Sequence, residues 1–257
     1  MPSWDPEVYA RYKSYRDRPA LDLLLQIPED LHPKTIWDLG CGAGEQAALL
    51  AARHPQARVS GLDSSPQMLT AARARSSRVT WVLGDVTQWS PPSPPDLIFS
   101  NSVLQWTTDH ATLFPKLAAS LAPDGVLACQ MSQSFDQVWH VALRALAAEP
   151  AWRDRLQGLR DVRPVAAASA YFDWLSGICG EIDIWSTTYL HVLEGEDPVV
   201  EWLSGSGLRP YLDALPDARE QERFLQAFRD RLAVVLPPRA DGVTLFPMPR
   251  LFIIARR

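Results

Sequence analysis

The stretch Thr35-Ile36-Trp37-Asp38-Leu39-Gly40-Cys41-Gly42-Ala43-Gly44 constrains the chain more than any other. A short β-rich run reaches Asp38, glycine then takes every second position, and Glu45-Gln46-Ala47-Ala48-Leu49-Leu50-Ala51-Ala52 follows with strong helix propensity. Strand, glycine turn and helix N-terminus, in that order, make the ligand-receiving corner of an open α/β sheet. A P-loop would end in Gly-Lys-Ser/Thr, and here the loop runs Gly42-Ala43-Gly44-Glu45. A dinucleotide loop sets its third glycine three positions after the second, whereas Gly40, Gly42 and Gly44 are evenly spaced and Glu45 would repel a pyrophosphate. A sulfonium ligand with an amino-acid tail suits the loop better, since Asp38 can reach an ammonium group. The bland alternative is a β–α turn that binds nothing.

Two further aspartates fall in comparable places. Arg58 to Asp63 reads as a second strand, with Asp63 about twenty residues past the glycines, where an acidic side chain hydrogen-bonds ribose hydroxyls. Ser65 is the expected N-cap of the next helix, with Pro66 first in it and Ser64 and Met68 beside the ligand. Val79 to Val86 reads as a third strand carrying Asp85, which can accept from an exocyclic amine such as adenine's, with Val86 next to it. Each aspartate alone is also an ordinary turn residue. Three successive strand ends in Asp point at one crevice, because open α/β sheets bind ligands beyond the carboxyl ends of their strands. A fourth strand, Asp96 to Ser100, runs into Asn101-Ser102-Val103-Leu104-Gln105-Trp106, which places Asn101 by the cofactor and Gln105 and Trp106 by the reacting group. Asp109 is expected to cap a helix ending near Leu121, and Val126 to Met131 to form a fifth strand.

The flanking segments are less regular. Residues 1–16 hold Trp4, Tyr9, Tyr12 and Tyr15 and read as a short helix packed outside the sheet or, with the rest of residues 1–30, as a lid. Asp17-Arg18-Pro19 reads as a helix start with Asp17 as N-cap. Residues 133–178 read as a helical cap insert over the strand ends, with His140, Arg144, Arg160, Arg163 and Tyr171 as polar candidates, although a lone His or Arg there is usually structural. Glu181 to Val192 reads as β, Pro198 to Gly207 as a helix, and Leu251 to Ala255 as a closing strand. Asp217 to Leu236 is an amphipathic helix with Phe224, Leu225, Phe228, Leu232 and Val235 at three- and four-residue spacing.

Composition sets outer bounds. The 257 residues, 47% hydrophobic and 21% charged, suit one large globular domain. A net charge of −5 argues against a nucleic-acid partner, which favours a basic face. Cys41, Cys129 and Cys179 have neither zinc nor disulfide spacing, so no metal is expected and a reducing cytoplasm fits. The N-terminus lacks signal-peptide character, and no apolar run approaches the ~18 residues of a membrane span. The expectation is a cytoplasmic protein, monomeric or weakly homo-oligomeric, with no membrane partner.

The Asp38-Leu39-Gly40-Cys41-Gly42-Ala43-Gly44 run resembles motif I of the class I S-adenosylmethionine (SAM) methyltransferases. Over essentially the whole length the chain resembles the trans-aconitate 2-methyltransferase family. The resemblance rests on Trp4-Asp5-Pro6, Arg18-Pro19-Ala20, Gly61-Leu62-Asp63-Ser64-Ser65, Asn101 to Trp106 with Asp109-His110, and Gly125 to Met131. Asp183-Ile184-Trp185, Gly207 to Leu212 and Pro249-Arg250-Leu251-Phe252 carry it through the C-terminal half. It implies a Rossmann-like seven-stranded α/β sheet with helices on both faces, SAM as cofactor, and Gly40, Cys41, Gly42 and Gly44 in the cofactor loop. Ala43 and Glu45 stand where the family has proline and asparagine, and Ser132-Gln133-Ser134 where it has Pro-Asp-Asn, which leaves the identity of the acid open.

The expected reaction is methyl transfer to a carboxylate of a small polycarboxylic acid. A carboxylate is ionised at neutral pH (reference pKa near ~4), so no general base and no catalytic side chain is needed. Its other carboxylates need cations, and arginine binds them in a bidentate way. Arg209 is favoured. Arg250 is equally well read as a structural ion pair, Arg18 and Arg160 are weaker, and His140 could complete the wall. Methylation of another acceptor (a phenol, an amine or a different acid) and non-catalytic SAM binding are the competing readings.

Overall fold

The computed structural model describes residues 13–159, 165–204 and 207–257. The N-terminal residues Trp4, Tyr9 and Tyr12, and the candidates Arg160 and Arg163, lie outside the described residues.

A seven-stranded sheet has the order β3-β2-β1-β4-β5-β7-β6. Its strands are β1 (Thr35–Leu39), β2 (Arg58–Asp63), β3 (Val79–Leu83), β4 (Leu97–Asn101), β5 (Val126–Ser132), β6 (Glu181–Leu193) and β7 (Thr244–Arg256). Strands β1 to β5 pair in parallel and β7 runs antiparallel to β5. The parallel centre is apolar along its length, as strands covered on both sides must be: β4 and β5 are buried from Leu97 to Ser100 and from Val126 to Met131. The chain leaves β1 toward β2 and β3, then returns to β4 on its other side. Beyond that switch point the carboxyl ends of β1 and β4 open the crevice where such sheets bind ligands.

The helices are α1 (Lys13–Leu25), α2 (Glu45–Arg53), α3 (Pro66–Arg75), α4 (His110–Ser120), α5 (Val138–Ala147), α6 (Arg153–Leu156), α7 (Ala168–Leu175), α8 (Pro198–Ser204), α9 (Arg209–Asp213) and α10 (Ala218–Val235). None among the described residues is long and apolar enough to cross a membrane. Three starts fall where capping chemistry puts them. Ser65 accepts from Met68 N–H at 3.3 Å, Asp109 from Thr112 N–H at 3.2 Å, and Asp217 from Glu220 N–H at 2.9 Å.

Two compact units divide the described chain. Residues 13–17, 133–159, 188–204 and 207–249 form a helical unit, and Arg18–Ser132, Val165–Thr187 and Arg250–Arg257 form a sheet unit. The sheet unit's core holds Leu39, Leu62, Ile98, Phe114, Leu127, Met131, Tyr171 and Ile253. The helical unit's core is aromatic, with Trp139, Trp152, Trp202, Tyr211, Phe224, Phe228 and Phe246.

Several expectations are corrected. The helix expected to begin at Asp17 already includes Lys13, with Pro19 inside it. Residues 133–178 are not one insert: α7 lies in the sheet unit, where Tyr171 and Leu175 are fully buried. β3 stops at Leu83, so Asp85 sits in the following turn. Pro198 to Gly207 yields only α8, and α9 begins at Arg209. On α10, Phe224, Phe228 and Leu232 are buried while Val235 is exposed.

Candidate active site

The glycine loop lies at the carboxyl end of β1, and Gly40, Gly42 and Gly44 have φ of +78°, +53° and +84°. Such values disfavour residues with a side chain. A Cβ on Gly40 would lie 2.2 Å from Val103, so the loop closes against the segment after β4, whereas one on Gly42 would meet nothing within 4 Å. The open face of the loop is therefore at Gly42. Gly44 instead packs under the Trp81 indole.

The loop's amides are mostly spoken for. Gly40 and Cys41 N–H donate to Leu62 O at 2.7 and 2.9 Å, Gly44 N–H donates to Cys41 O at 2.9 Å, and Gly42 N–H donates to Asp63 Oδ2 at 2.9 Å. A phosphate site needs such donors free. This one offers space and negative charge. Asp38 is 2% exposed, and its Oδ2 is buried without a partner. Burial first, then the charge of Asp63, pushes its carboxyl up to about 8, against an opposing hydrogen bond from the Ala47 backbone. A cation of the ammonium type answers both the vacant oxygen and the raised pKa. Glu45 is paired with Arg75 at 2.6 Å, and Arg75 also donates to Ala43 O at 2.9 Å, which clamps the loop.

Asp63 braces this corner, with Oδ1 accepting Ser65 N–H at 2.8 Å. Ser64 is exposed, and Met68 half-buried. Asp85 is exposed and its Oδ1 accepts from Thr87 N–H and Oγ1, both at 2.8 Å, so it forms the turn that was its bland alternative. Val86 is in the core. Cys41 is buried, and desolvation raises its thiol pKa well above the ordinary range.

Beyond β4, Asn101 Oδ1 and the 5% exposed Gln105's Oε1 are buried without partners, and Trp106 is 41% exposed. Gln105 and Trp106 ride on a short 3-10 helix, Leu104–Trp106. His110 holds that turn, its Nε2 donating to Leu104 O at 2.9 Å. Its Nδ1 is thereby the acceptor for Tyr171 O–H at 2.6 Å, and Tyr171 in turn accepts Ala166 N–H at 3.3 Å. Burial lowers the His110 pKa, in keeping with a neutral ring.

Arg250 is 8% exposed at the register position opposite Ser132 and donates to Ser102 Oγ at 3.4 Å. Arg18 is exposed and forms an ion pair with Asp22 at 4.0 Å, on a solvated helix face. The helical unit holds the other two described candidates. Arg209 lies 3.1 Å from Asp213, and His140 is buried, stacked on Trp139 with Nδ1 3.2 Å from Ser134 O.

Sequence reading missed Trp81, Val103 and the His110–Tyr171 pair. The close approach of Trp81 to Gly44 and Gly61, where a Cβ would lie 2.5 and 2.6 Å away, leaves a trace only as two glycines far apart in the chain.

Comparison with known proteins identifies the family and the fold. Residues 36–125 match the family described as Methyltransferase domain. A trans-aconitate 2-methyltransferase of Azoarcus sp. (strain BH72) is 44% identical over 257 residues, covering 100% of both chains. The YcgJ protein from Bacillus subtilis superposes with a TM-score of 0.59 at 15% identity, over 93% of this chain and 98% of that one. Phosphoethanolamine N-methyltransferase 2 from Haemonchus contortus, solved in complex with S-adenosyl-L-methionine, gives 0.53 at 18% identity, over 93% of this chain and 52% of that one. This chain thus spans about half the length of that last protein. Both structural likenesses concern the fold.

Proposed function

The chain belongs to the trans-aconitate 2-methyltransferase family of SAM-dependent methyltransferases, and we propose that it forms a monomethyl ester of trans-aconitate. SAM is the cofactor, and it supplies a methyl group activated by a positively charged sulfur. The observation that carries the reading is Asp38, a buried carboxylate with a vacant oxygen beside a loop whose glycine amides are already hydrogen-bonded. In the proposal Asp38 receives the amino-acid ammonium, Asp63 the ribose hydroxyls, Asp85 the adenine amine, and Gly42 leaves room for the ligand to lie against the backbone.

The acid needs little chemistry from the protein. Its carboxylate oxygen is already ionised and is itself the nucleophile. His110 is committed through both ring nitrogens and cannot take a proton on Nδ1 without giving up the Tyr171 hydrogen bond. What remains is positioning and exclusion of water, which can supply ~7–11 kcal/mol of barrier lowering. Asn101, Gln105 and Trp106 would line the reacting end, and Arg250 would neutralise a carboxylate that is not methylated.

The test is formation of S-adenosylhomocysteine from SAM with trans-aconitate, cis-aconitate, citrate and isocitrate supplied separately. Selective turnover of trans-aconitate is expected. SAM binding with silence on all four acids overturns the substrate and directs attention to Ser132-Gln133-Ser134.

A further inference from the structure

Gln130, Ser102 and Arg250 form a directed hydrogen-bond chain in the sheet unit. Arg250 Nη1 donates to Ser102 Oγ at 3.4 Å, and Ser102 O–H donates to Gln130 Oε1 at 2.9 Å. Arginine has no acceptor, so the direction of the chain is set from its charged end. Ser102 is held for this purpose in a backbone conformation rare for a serine, φ +57°, with its N–H bonded to Gln130 O at 2.9 Å. The Gln130 amide is thereby oriented with its oxygen occupied and its NH2 group left over.

That NH2 group is the unexplained part. Gln130 is 0% exposed, and its Nε2 is buried with no hydrogen-bond partner. It lies near the end of β5, in register with Asn101 on β4, two residues before the Ser132–Arg250 pair. A buried donor ordinarily has an acceptor, and one already stripped of water binds an anionic oxygen strongly.

We propose that Gln130, oriented by Ser102 and Arg250, is the donor that selects a carboxylate of the acid substrate. Arg250 supplies charge and Gln130 supplies direction, so one oxygen of the acid is fixed relative to the strand ends. The inference rests on the methyl-transfer reading above and adds to it two residues that touch or orient the acid.

The test compares wild type with Gln130→Leu, which keeps the side chain's bulk and removes the amide, and with Ser102→Ala, which frees the amide to turn. A hydrogen bond to a charged group corresponds to about a tenfold change or more in binding. For Gln130→Leu, KM for trans-aconitate rises by about that factor while S-adenosylhomocysteine affinity, measured by calorimetry, stays within about twofold. Ser102→Ala gives a smaller rise in the same direction. Wild-type KM in both variants overturns the proposal. If Gln130→Leu does not fold, Ser102→Ala decides alone. Should wild type leave trans-aconitate unmethylated, titration with trans-aconitate, citrate and succinate separates the two ideas. Binding of any of them that Gln130→Leu abolishes retains the carboxylate donor and overturns the reaction, and no binding of any carboxylate overturns both.

Discussion

The sheet unit and the helical unit solve the same problem, burial of apolar surface, with different materials. The sheet unit stacks aliphatic strands, and at or just past their carboxyl ends Asp38, Asn101, Gln105 and Gln130 each hold a buried atom without a partner, while His54 Nε2 and the Trp89 indole N–H are unpartnered elsewhere in the unit. The helical unit buries large rings, and its unpartnered buried atoms include the indole N–H groups of Trp139 and Trp152. Its ion pairs are part-exposed, as in Arg229 with Asp197 at 2.7 Å and Glu222 at 2.6 Å. Unsatisfied polar groups clustered at strand ends are what the proposed ligand site would use. Scattered indoles in an apolar core are the cost of using tryptophan to fill volume.

The largest expected effect tests whether ring packing carries the helical unit. Phe228→Ala should cost ~3–5 kcal/mol by denaturant unfolding, through lost contacts and a cavity. Below its transition it should retain S-adenosylhomocysteine binding. A loss of affinity in the folded variant would break the assignment of the cofactor loop to the sheet unit alone.

Arg250→Gln follows. Removing a buried cation that serves a carboxylate should lower kcat/KM for the acid by about a hundredfold, equivalent to ~3 kcal/mol, with cofactor affinity intact. An unchanged kcat/KM would return Arg250 to the structural ion pair that competed with it.

Asp38→Asn should weaken S-adenosylhomocysteine by about ten- to a hundredfold while leaving apo stability equal or higher, because a desolvated carboxyl is removed. The pH dependence follows from the same group. Its native pKa is raised from 3.8 to about 8, so the native chain holds a proton that the unfolded chain has released. That contribution to stability is fully present below the ordinary carboxylate range and is lost as pH rises through about 8. Binding an ammonium needs the ionised form, so affinity should climb with pH toward about 8 with release of protons, read by calorimetry in buffers of different ionisation heat. Asp38→Asn should flatten that profile.

Tyr171→Phe removes one link of the Ala166–Tyr171–His110 chain and should cost ~1 kcal/mol of stability. It should also raise KM for the acid by about two- to fivefold, through looser placement of Gln105 and Trp106. Arg209→Gln closes the series. Its side chain is about one-third exposed and ion-paired with Asp213, and such pairs contribute under ~1 kcal/mol. Its effect on KM should be smaller than that of Arg250→Gln. The reverse order would move acid recognition to the helical unit.

Much of the sheet unit was legible in the sequence because its signals are local. The bounds of β2, the Ser65 and Asp109 caps, and the glycine loop all follow from residues within a few positions of one another. Proline gave a false start: Pro19 reads as part of the first turn of a helix capped by Asp17, yet it lies within α1, although a helix interior usually rejects it. The stretch 133–178 misled because α7 looks like any apolar helix, and only its packing on α4 through Tyr171 assigns it to the sheet unit.

By itself the sequence determined the strand–glycine–helix corner, the acidic ends of β1 and β2 and the long amphipathic α10, since backbone conformation and periodicity are short-range properties. Tertiary structure decided which polar atoms were left unsatisfied. Whether Gly42 N–H is free, whether Tyr171 turns to His110, and whether Gln130 presents its NH2 all depend on partners 21, 61 and 28 residues away. A hydrogen bond is won by the group that folding brings within about 3 Å, and no local pattern records the competition.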